Sequence, residues 1–386
     1  VYGVASSLHQ AYGMKSVALC MRRQMYTDNL DFLDVYAFDD FDNHDVFVKV
    51  LIDFAEKNKD KEKKLLLISC SDYYTSLIIE SRDEIKDYYI FNYIDKKLHD
   101  NLENKIDFYN ICEEYGLSYP DTYIVSKDSY RNINLPFDFP VICKPNDSYK
   151  WVKVDFEGYK KAFKINNMEE LVHILDLAYL NGYDDYMIIQ DFIPGGADSM
   201  FVVNAYVSKE GKVLMTHGAQ TALEEVLPND IGNYSALISG EFPDLTSSGK
   251  EFLEKIDYRG YANFDFKYDK RSGDYKVFEI NLRQGRSSMY MTYAGNNFIT
   301  YLVDDLIYDK DIDYYNHTDE HLWYITAKSV LKKYSPSSLK GNINRLLKEG
   351  KSNFALDYYS NKNIKRFLLS LRRKISTIRY YRIYAR

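Results

Sequence analysis

The chain has 386 residues, a formal net charge of −7 and ordinary fractions of hydrophobic (46%) and charged (28%) residues, as expected of a folded globular protein with two or three domains. The acidic balance excludes bulk electrostatic attraction to nucleic acid, and no apolar run approaches the roughly 20 residues of a membrane span. Cys20, Cys70, Cys112 and Cys143 form no CxxC pair and the histidines no HExxH, so neither a disulfide scaffold nor a zinc site is expected, and a reducing cytoplasm fits best.

The opening VYGVASSLHQAYG has neither the basic nor the apolar region of a secretory signal and no Met, so a first strand preceding Val1 is expected. Residues 1 to about 110 then alternate short apolar runs (SVALC, DVYAF, KKLLLISC) with amphipathic segments such as SDYYTSLIIESRDEI, the rhythm of a small α/β layer. KIDFYNICEEYG reads as a helix with Ile106, Phe108, Ile111 and Cys112 on its apolar side, stopped by Gly116 before Pro120. From Phe137 the pattern turns strand-rich: FPVICKP, KKAFKI, YMIIQDFIPG, then SMFVVNAYVSKEGKVLMTHG with a hairpin at Gly211. Between these, NNMEELVHILDLAYLNG has helical spacing and a Gly182 stop, and SSGKEFLEKIDYRG is a further helix before the strands YANFDFKYD and DYKVFEINL. Antiparallel hairpins of this kind indicate an α+β domain rather than a βαβ array.

The stretch FEINLRQGRSS carries the chemistry. In a strand, alternation places Glu279, Asn281 and Arg283 on one face and Phe278, Ile280 and Leu282 on the other. A register centred on Ser272 sets Asp265 opposite Glu279 and Asn263 opposite Asn281. Facing carboxylates repel unless a cation lies between them, and two acids with an Asn carbonyl suit Mg²⁺ held together with phosphates; the alternative is a solvated polar face. Upstream, Lys144 ends an apolar strand and Lys160 or Lys161 begins another, where ammonium groups can reach nucleotide phosphates or simply remain solvated. YMIIQDFIPGG supplies a strand and turn whose backbone from Asp191 to Ile193 could bond an adenine edge.

The order of these parts (strand-Lys-Pro, second Lys, helix, IIQDFIPG, long hairpin, Asp on a penultimate strand, E-I-N-x-R) resembles the ATP-grasp superfamily over roughly residues 1 to 310. The resemblance implies an α/β N-terminal domain followed by an α+β fold of two lobes, with ATP between antiparallel sheets. It implies a pre-ATP-grasp domain at 1–110 and an ATP-grasp domain at 111–310, with a small lobe at about 125–195 and a large lobe at about 196–310. A C-terminal extension would occupy 311–386. The segments YGVASSLHQAYG, FEGYKKAF, IIQDFIPGGADSM, IGNY and FEINLRQGRSS are moreover similar to the D-aspartate ligases of bacterial cell-wall synthesis. Those enzymes activate the β-carboxylate of D-aspartate as an acyl phosphate and join it to the ε-amino group of lysine in a peptidoglycan precursor.

Carried over by position, the resemblance makes Lys144 and Lys161, with Lys160 as its neighbour, the phosphate lysines. Gln190, Asp191 and Ile193 become the adenine hinge and Asp198 a ribose ligand. Asp265, Glu279 and Asn281 become ligands for two Mg²⁺ ions, and Arg283 steadies the acyl phosphate. Arg286, Ser287 and Ser288 are candidates for the amino-acid carboxylate, since a guanidinium fork matches a planar anion; a helix N-cap is the alternative for the serines. Glu224 and Glu225, in LEEVLPNDIGNY, would meet an incoming cationic amine or form a solvated loop. The segment NDSYKWVKVDFEGYK departs from the family's glycine-rich loop, having only Gly158, so a less mobile lid or one using Lys150 and Lys153 is expected. A ligase for another amino acid or for a capsule or peptide substrate, and a non-catalytic nucleotide-binding regulatory module, are the competing readings. The partners implied are an amino acid and an amine-bearing precursor, with a homo-oligomer allowed. The acid-free tail NKNIKRFLLSLRRKISTIRYYRIYAR would either pack on its own acidic body or touch an anionic membrane surface.

Overall fold

In a computed structural model, residues 1–58, 65–227, 230, 232–358 and 363–385 are described. The chain forms two compact units, and each is assembled from non-contiguous segments. One comprises Val1–His99, Gly196–Asp265 and Ile280–Arg386; the other comprises Asp100–Gly195 and Phe266–Glu279. The expected division at 110 and 310 follows chain order, whereas packing gathers segments by their apolar faces regardless of order.

In the larger unit the α/β layer expected near the start is present. Ser16–Cys20 pairs in parallel with Leu33–Ala37, and Leu65–Leu66 with Tyr89–Ile90. Helices Tyr2–Tyr12, His44–Asn58 and Asp72–Glu80 accompany them. Ser71 starts the last of these by accepting a hydrogen bond from the Tyr74 N–H, the usual way an orphan amide of a first turn is satisfied. The long hairpin forms as its alternation predicts: Met200–Val207 and Val213–Glu224 pair antiparallel. Gly211 sits in the turn at φ +89°, a left-handed conformation that favours glycine.

These strands belong to an eight-stranded sheet ordered Asp274–Asn281, Gly260–Asp269, Met200–Val207, Val213–Glu224, Tyr234–Ser239, His321–Tyr324, Ser352–Phe354, with Tyr315–His317 paired to Val213–Glu224. Val202, Tyr206, Met215, Leu237, Phe298 and Trp323 form one of its buried clusters. The helix expected over SSGKEFLEKIDYRG begins earlier, at Pro243, because proline at a first helical position forfeits no hydrogen bond. The tail forms helix Ile364–Tyr384, capped by Asn363.

The smaller unit is a four-stranded antiparallel sheet ordered Thr122–Val125, Met187–Asp191, Val141–Pro145, Phe163–Ile165. Helices Lys105–Tyr115 and Met168–Leu180 start at Asn104 and Asn167, whose side chains accept from first-turn amides. Gly116 (φ +75°) and Gly182 (φ +92°) follow the helix ends as expected. Val141, Cys143, Leu171, Leu175 and Ile189 are fully buried on one side of the sheet. Alternation therefore turns Ile142 and Lys144 to the other side, where Ile142 pairs with Gln190 and with Lys164, and Lys144 with Ile188. Among the described residues no helix is long and apolar enough to cross a membrane.

Candidate active site

The smaller unit brings four polar groups together around Lys144. Its Nζ donates to Tyr109 Oη at 2.9 Å, and Tyr109 Oη in turn donates to the Phe278 carbonyl at 2.8 Å. Lys105, the first residue of helix Lys105–Tyr115, donates from Nζ to the Asn146 carbonyl at 2.9 Å. Burial lowers the pKa of both lysines to about 8. Lys144 lowers that of Lys105 further, while the nearby Glu279 carboxylate opposes the shift on both. Asp147 and Glu103 also act on Lys105 in the same sense as Glu279, so Glu279 is the carboxylate that the two ammonium groups have in common. Lys105, Tyr109 and Lys144 lie close together, although only Lys144 is legible in the strand pattern. The available signal for Lys105 was its place: a cation in a helix's first turn opposes the macrodipole and calls for a compensating role.

The other predicted residues of this unit fall as follows. Gln190 is buried and its amide donates to Thr122 Oγ1 at 2.8 Å. Asp191 gives its N–H to the Asp121 carbonyl, and its carboxylate is clamped by Arg271, which also binds Asp269 through Nε at 2.9 Å. Ile193 is buried. Phe192, between them, has Lys164 Nζ 4.1 Å and Lys267 Nζ 5.2 Å from its ring centroid; Lys267 is buried and was not anticipated. Lys160 and Lys161 lie exposed in the loop before Phe163–Ile165 rather than at the start of that strand, and the Lys160 carbonyl accepts from Trp151 Nε1. Trp151, fully buried against Tyr159, Phe163 and Tyr183, anchors the segment that replaces a glycine-rich loop. Lys150 is paired with Asp184 and Asp185. A groove of about 570 Å³ beside the turn is lined by Phe137, Phe139, Asp191, Phe192, Pro194 and Arg271 among others, but by none of Lys144, Gln190 or Glu279.

The larger unit holds the second set. The Asn281 amide lies 3.5 Å from Asp265 Oδ2 and 3.2 Å from Asn263 Oδ1, which places Asn281 beside the neighbouring strand. The strand ends at Asn281, so Arg283 lies beyond it rather than within its alternation. Its Nη2 nevertheless reaches back to Asn281 Oδ1 at 3.3 Å and forward to Asp72 Oδ2 at 2.6 Å. Asp72, on the first turn of helix Asp72–Glu80, was not foreseen as its partner. Gly285 approaches Asn263 so closely that a Cβ would lie 3.0 Å from its side chain. Mg²⁺ takes hard oxygen donors, commonly one or two carboxylates together with phosphate. Asp265 with the Asn281 amide, whose ends exchange by a half-turn, fits that donor set.

The remaining predicted residues lie within the larger unit. Glu225 is not on an open rim: it is buried, 2.8 Å from Arg373 of the tail helix and 3.7 Å from Arg286. A carboxylate between two guanidiniums is fully engaged, so its removal leaves charge uncompensated; Glu225→Ala is expected to cost about 3 kcal/mol in urea unfolding. Glu224 contributes its carbonyl to Tyr381 of the same helix; Pro228, Asn229 and Ile231 of the surrounding segment lie outside the described residues. Ser288 takes the N-cap position of helix Met289–Tyr293, but its side chain makes no capping bond. Ser287 is buried with its Oγ lacking a hydrogen-bond partner. Asp198 bonds Ser338 through its carboxylate and accepts from Gln220 through its carbonyl, which ties it to the fold.

No protein-family model matches the chain. Among solved structures, the chain is similar to the biotin carboxylase domain of Hydrogenobacter thermophilus 2-oxoglutarate carboxylase in complex with MgADP, ADP and bicarbonate. The TM-score is 0.60 at 12% identity, covering 82% of this chain and 69% of that one. It is also similar to the ADP complex of N5-carboxyaminoimidazole ribonucleotide synthetase (TM-score 0.58, 13% identity, 90% and 83% covered). A third likeness is to the L-amino acid ligase of Bacillus licheniformis (0.57, 13%, 79% and 68%). These show the ATP-grasp fold. In sequence it is 39% identical over 380 residues to the D-aspartate ligase of Enterococcus faecium (strain Aus0004), across 96% of this chain and 90% of that protein. With identity of that level along nearly the whole of both chains, this protein belongs to the D-aspartate ligase family of ATP-grasp carboxylate-amine ligases.

Proposed function

We propose that the protein joins the β-carboxylate of D-aspartate to the ε-amino group of lysine in a peptidoglycan precursor, in the cytoplasm and at the expense of ATP. The observation that carries this reading is the near full-length similarity to the Enterococcus faecium D-aspartate ligase. It is supported by the paired lysines Lys105 and Lys144 and by Arg283 beside Asn281.

In this reading Lys105 and Lys144 hold the ATP phosphates, and Tyr109 keeps Lys144 aimed. The backbone from Asp191 to Ile193, with Gln190 behind it, meets the adenine edge. Asp265, Glu279 and Asn281 would hold Mg²⁺, which supplies charge neutralisation at the phosphates. Positive charge fixed in advance stabilises the charge that develops on the transferred phosphoryl group. Attack by the substrate carboxylate gives an acyl phosphate and ADP; the lysine amine then displaces phosphate from the acyl carbon, leaving an amide. Arg283, held by Asp72, offers its guanidinium to the oxyanion of that second step. Arg286, Ser287 and Ser288 are assigned to the amino-acid carboxylate.

Lysines that bind phosphate only as ammonium groups make nucleotide affinity fall as pH rises through their depressed pKa of about 8. Below that value both are charged, and above it binding must first return protons. ADP affinity measured by calorimetry is expected to drop by about tenfold per lysine for each pH unit above the pKa. Lys144→Arg, charged throughout, should leave only the Lys105 contribution and so about halve the slope. A flat profile in the parent protein would take the phosphates away from this pair.

The reading as a whole is tested by phosphate release with Mg-ATP across D- and L-amino acids bearing a second carboxylate, each with and without a lysine-containing precursor. Release that requires both D-aspartate and precursor supports it. Release with a different pair keeps the chemistry and changes the substrate.

A further inference from the structure

The tail helix Ile364–Tyr384 has two faces of opposite character. One is fastened to the larger unit: Arg366, Ser370, Thr377 and Tyr381 are buried. Arg366 Nη1 donates to the carbonyls of Tyr26 (2.9 Å) and Asp28 (3.2 Å), and Thr377 Oγ1 accepts from the Ala327 N–H at 3.2 Å. Arg373 reaches Glu225 from the same side. The residues between them follow the helical period onto the opposite face. There Ile364, Phe367, Leu368, Leu371 and Ile375 are all exposed, from 43% for Leu371 to 70% for Ile364. Lys365, Arg372, Arg379 and Arg382, also exposed, flank or continue this stripe.

A stripe of large apolar side chains in water is unfavourable unless something covers it. The sequence 361–386 has no acidic residue, in a chain whose net charge is −7. A second copy is a poor cover, because two such helices laid face to face would bring basic flanks together without a carboxylate from either. A surface that offers an apolar layer beneath negative groups complements both features at once. The helix spans about 31 Å at 1.5 Å per residue, and its basic residues forbid burial across a bilayer, so it would lie in the interfacial plane.

We infer that the outward face of helix Ile364–Tyr384 docks the protein on an anionic phospholipid bilayer, with Phe367, Leu368, Leu371 and Ile375 inserted and Arg372, Arg379 and Lys365 against the headgroups. The inward face keeps the helix on the body while it does so, and the site residues take no part.

The test is co-sedimentation of the full chain with vesicles of phosphatidylcholine alone and of phosphatidylcholine with phosphatidylglycerol, at low and high salt. Binding is expected to the anionic vesicles only and to weaken with salt. The double charge reversal Arg372→Glu with Arg379→Glu should weaken it by on the order of a hundredfold, and Leu368→Ser with Leu371→Ser by on the order of tenfold. Both variants change exposed side chains, so thermal unfolding and phosphate release should match the parent. Failure to bind anionic vesicles at low salt, equal binding to both vesicle types, or binding unchanged in both variants would overturn the inference. So would self-association of the parent, seen by sedimentation velocity, that the Leu368→Ser/Leu371→Ser variant abolishes while no vesicle binding is found, because a second copy would then be the cover.

Discussion

Glu279→Ala is expected to lower the rate of amine-dependent phosphate release by about 10³-fold or more, with the urea midpoint of unfolding little changed. Glu279 is exposed on strand Asp274–Asn281, so truncating it opens no cavity. Its loss removes the one carboxylate that raises the pKa of both Lys105 and Lys144, as well as the oxygen donor proposed for the metal. These two roles separate by experiment. If Glu279 serves only to keep the lysines charged, the variant should regain much of its rate as pH is lowered well below 8, where the lysines are protonated without help. If it also holds Mg²⁺, activity stays low at every pH, and raising the Mg²⁺ concentration restores part of it. A variant as active as the parent at neutral pH would remove both roles.

Arg283→Ala should reduce kcat by about 10²- to 10³-fold with a much smaller change in the KM for ATP, because Arg283 is assigned to the oxyanion of the amide-forming step and not to the nucleotide. Arg283→Lys should recover little. A single ammonium cannot reproduce the fork by which Nη2 bonds both Asp72 Oδ2 and Asn281 Oδ1 while Nη1 bonds the Gln284 carbonyl. Asp72→Asn provides the control. It leaves the guanidinium charged but weakens the hold on it, so a loss smaller than that of Arg283→Ala is expected, in kcat rather than in KM for ATP. Equal losses of kcat and ATP affinity in Arg283→Ala would move this residue to the phosphates.

The two variants also bear on how the reaction's stages divide. Partial turnover without the amine, measured as ADP formation in a single burst, should survive in Arg283→Ala better than in Glu279→Ala, since acyl phosphate formation precedes amide formation. The same burst in both, or in neither, would say that one step limits both processes.

By itself the sequence determined what depends on neighbours a few residues apart. Alternation defined the Met200–Val207 and Val213–Glu224 hairpin, and Gly211 fixed its turn. Asn104 and Asn167 began helices that Gly116 and Gly182 followed, because capping and left-handed conformations are local events. The order of Lys144, the IIQDFIPG turn, Asp265 and E-I-N-x-R carried the family resemblance for the same reason: each part is a short motif. Tertiary structure decided which charge meets which. Arg283 finds Asp72 211 positions away, and Glu225 finds Arg373 148 positions away, converting an expected amine-binding rim into an internal ion cluster. Lys105 gained its place beside Lys144 only because helix Lys105–Tyr115 packs over the strand face that Lys144 occupies, as the Lys144 to Tyr109 bond records. Periodicity says which face a side chain occupies, but Coulombic and hydrogen-bond partners are chosen through space, and only folding brings them within reach.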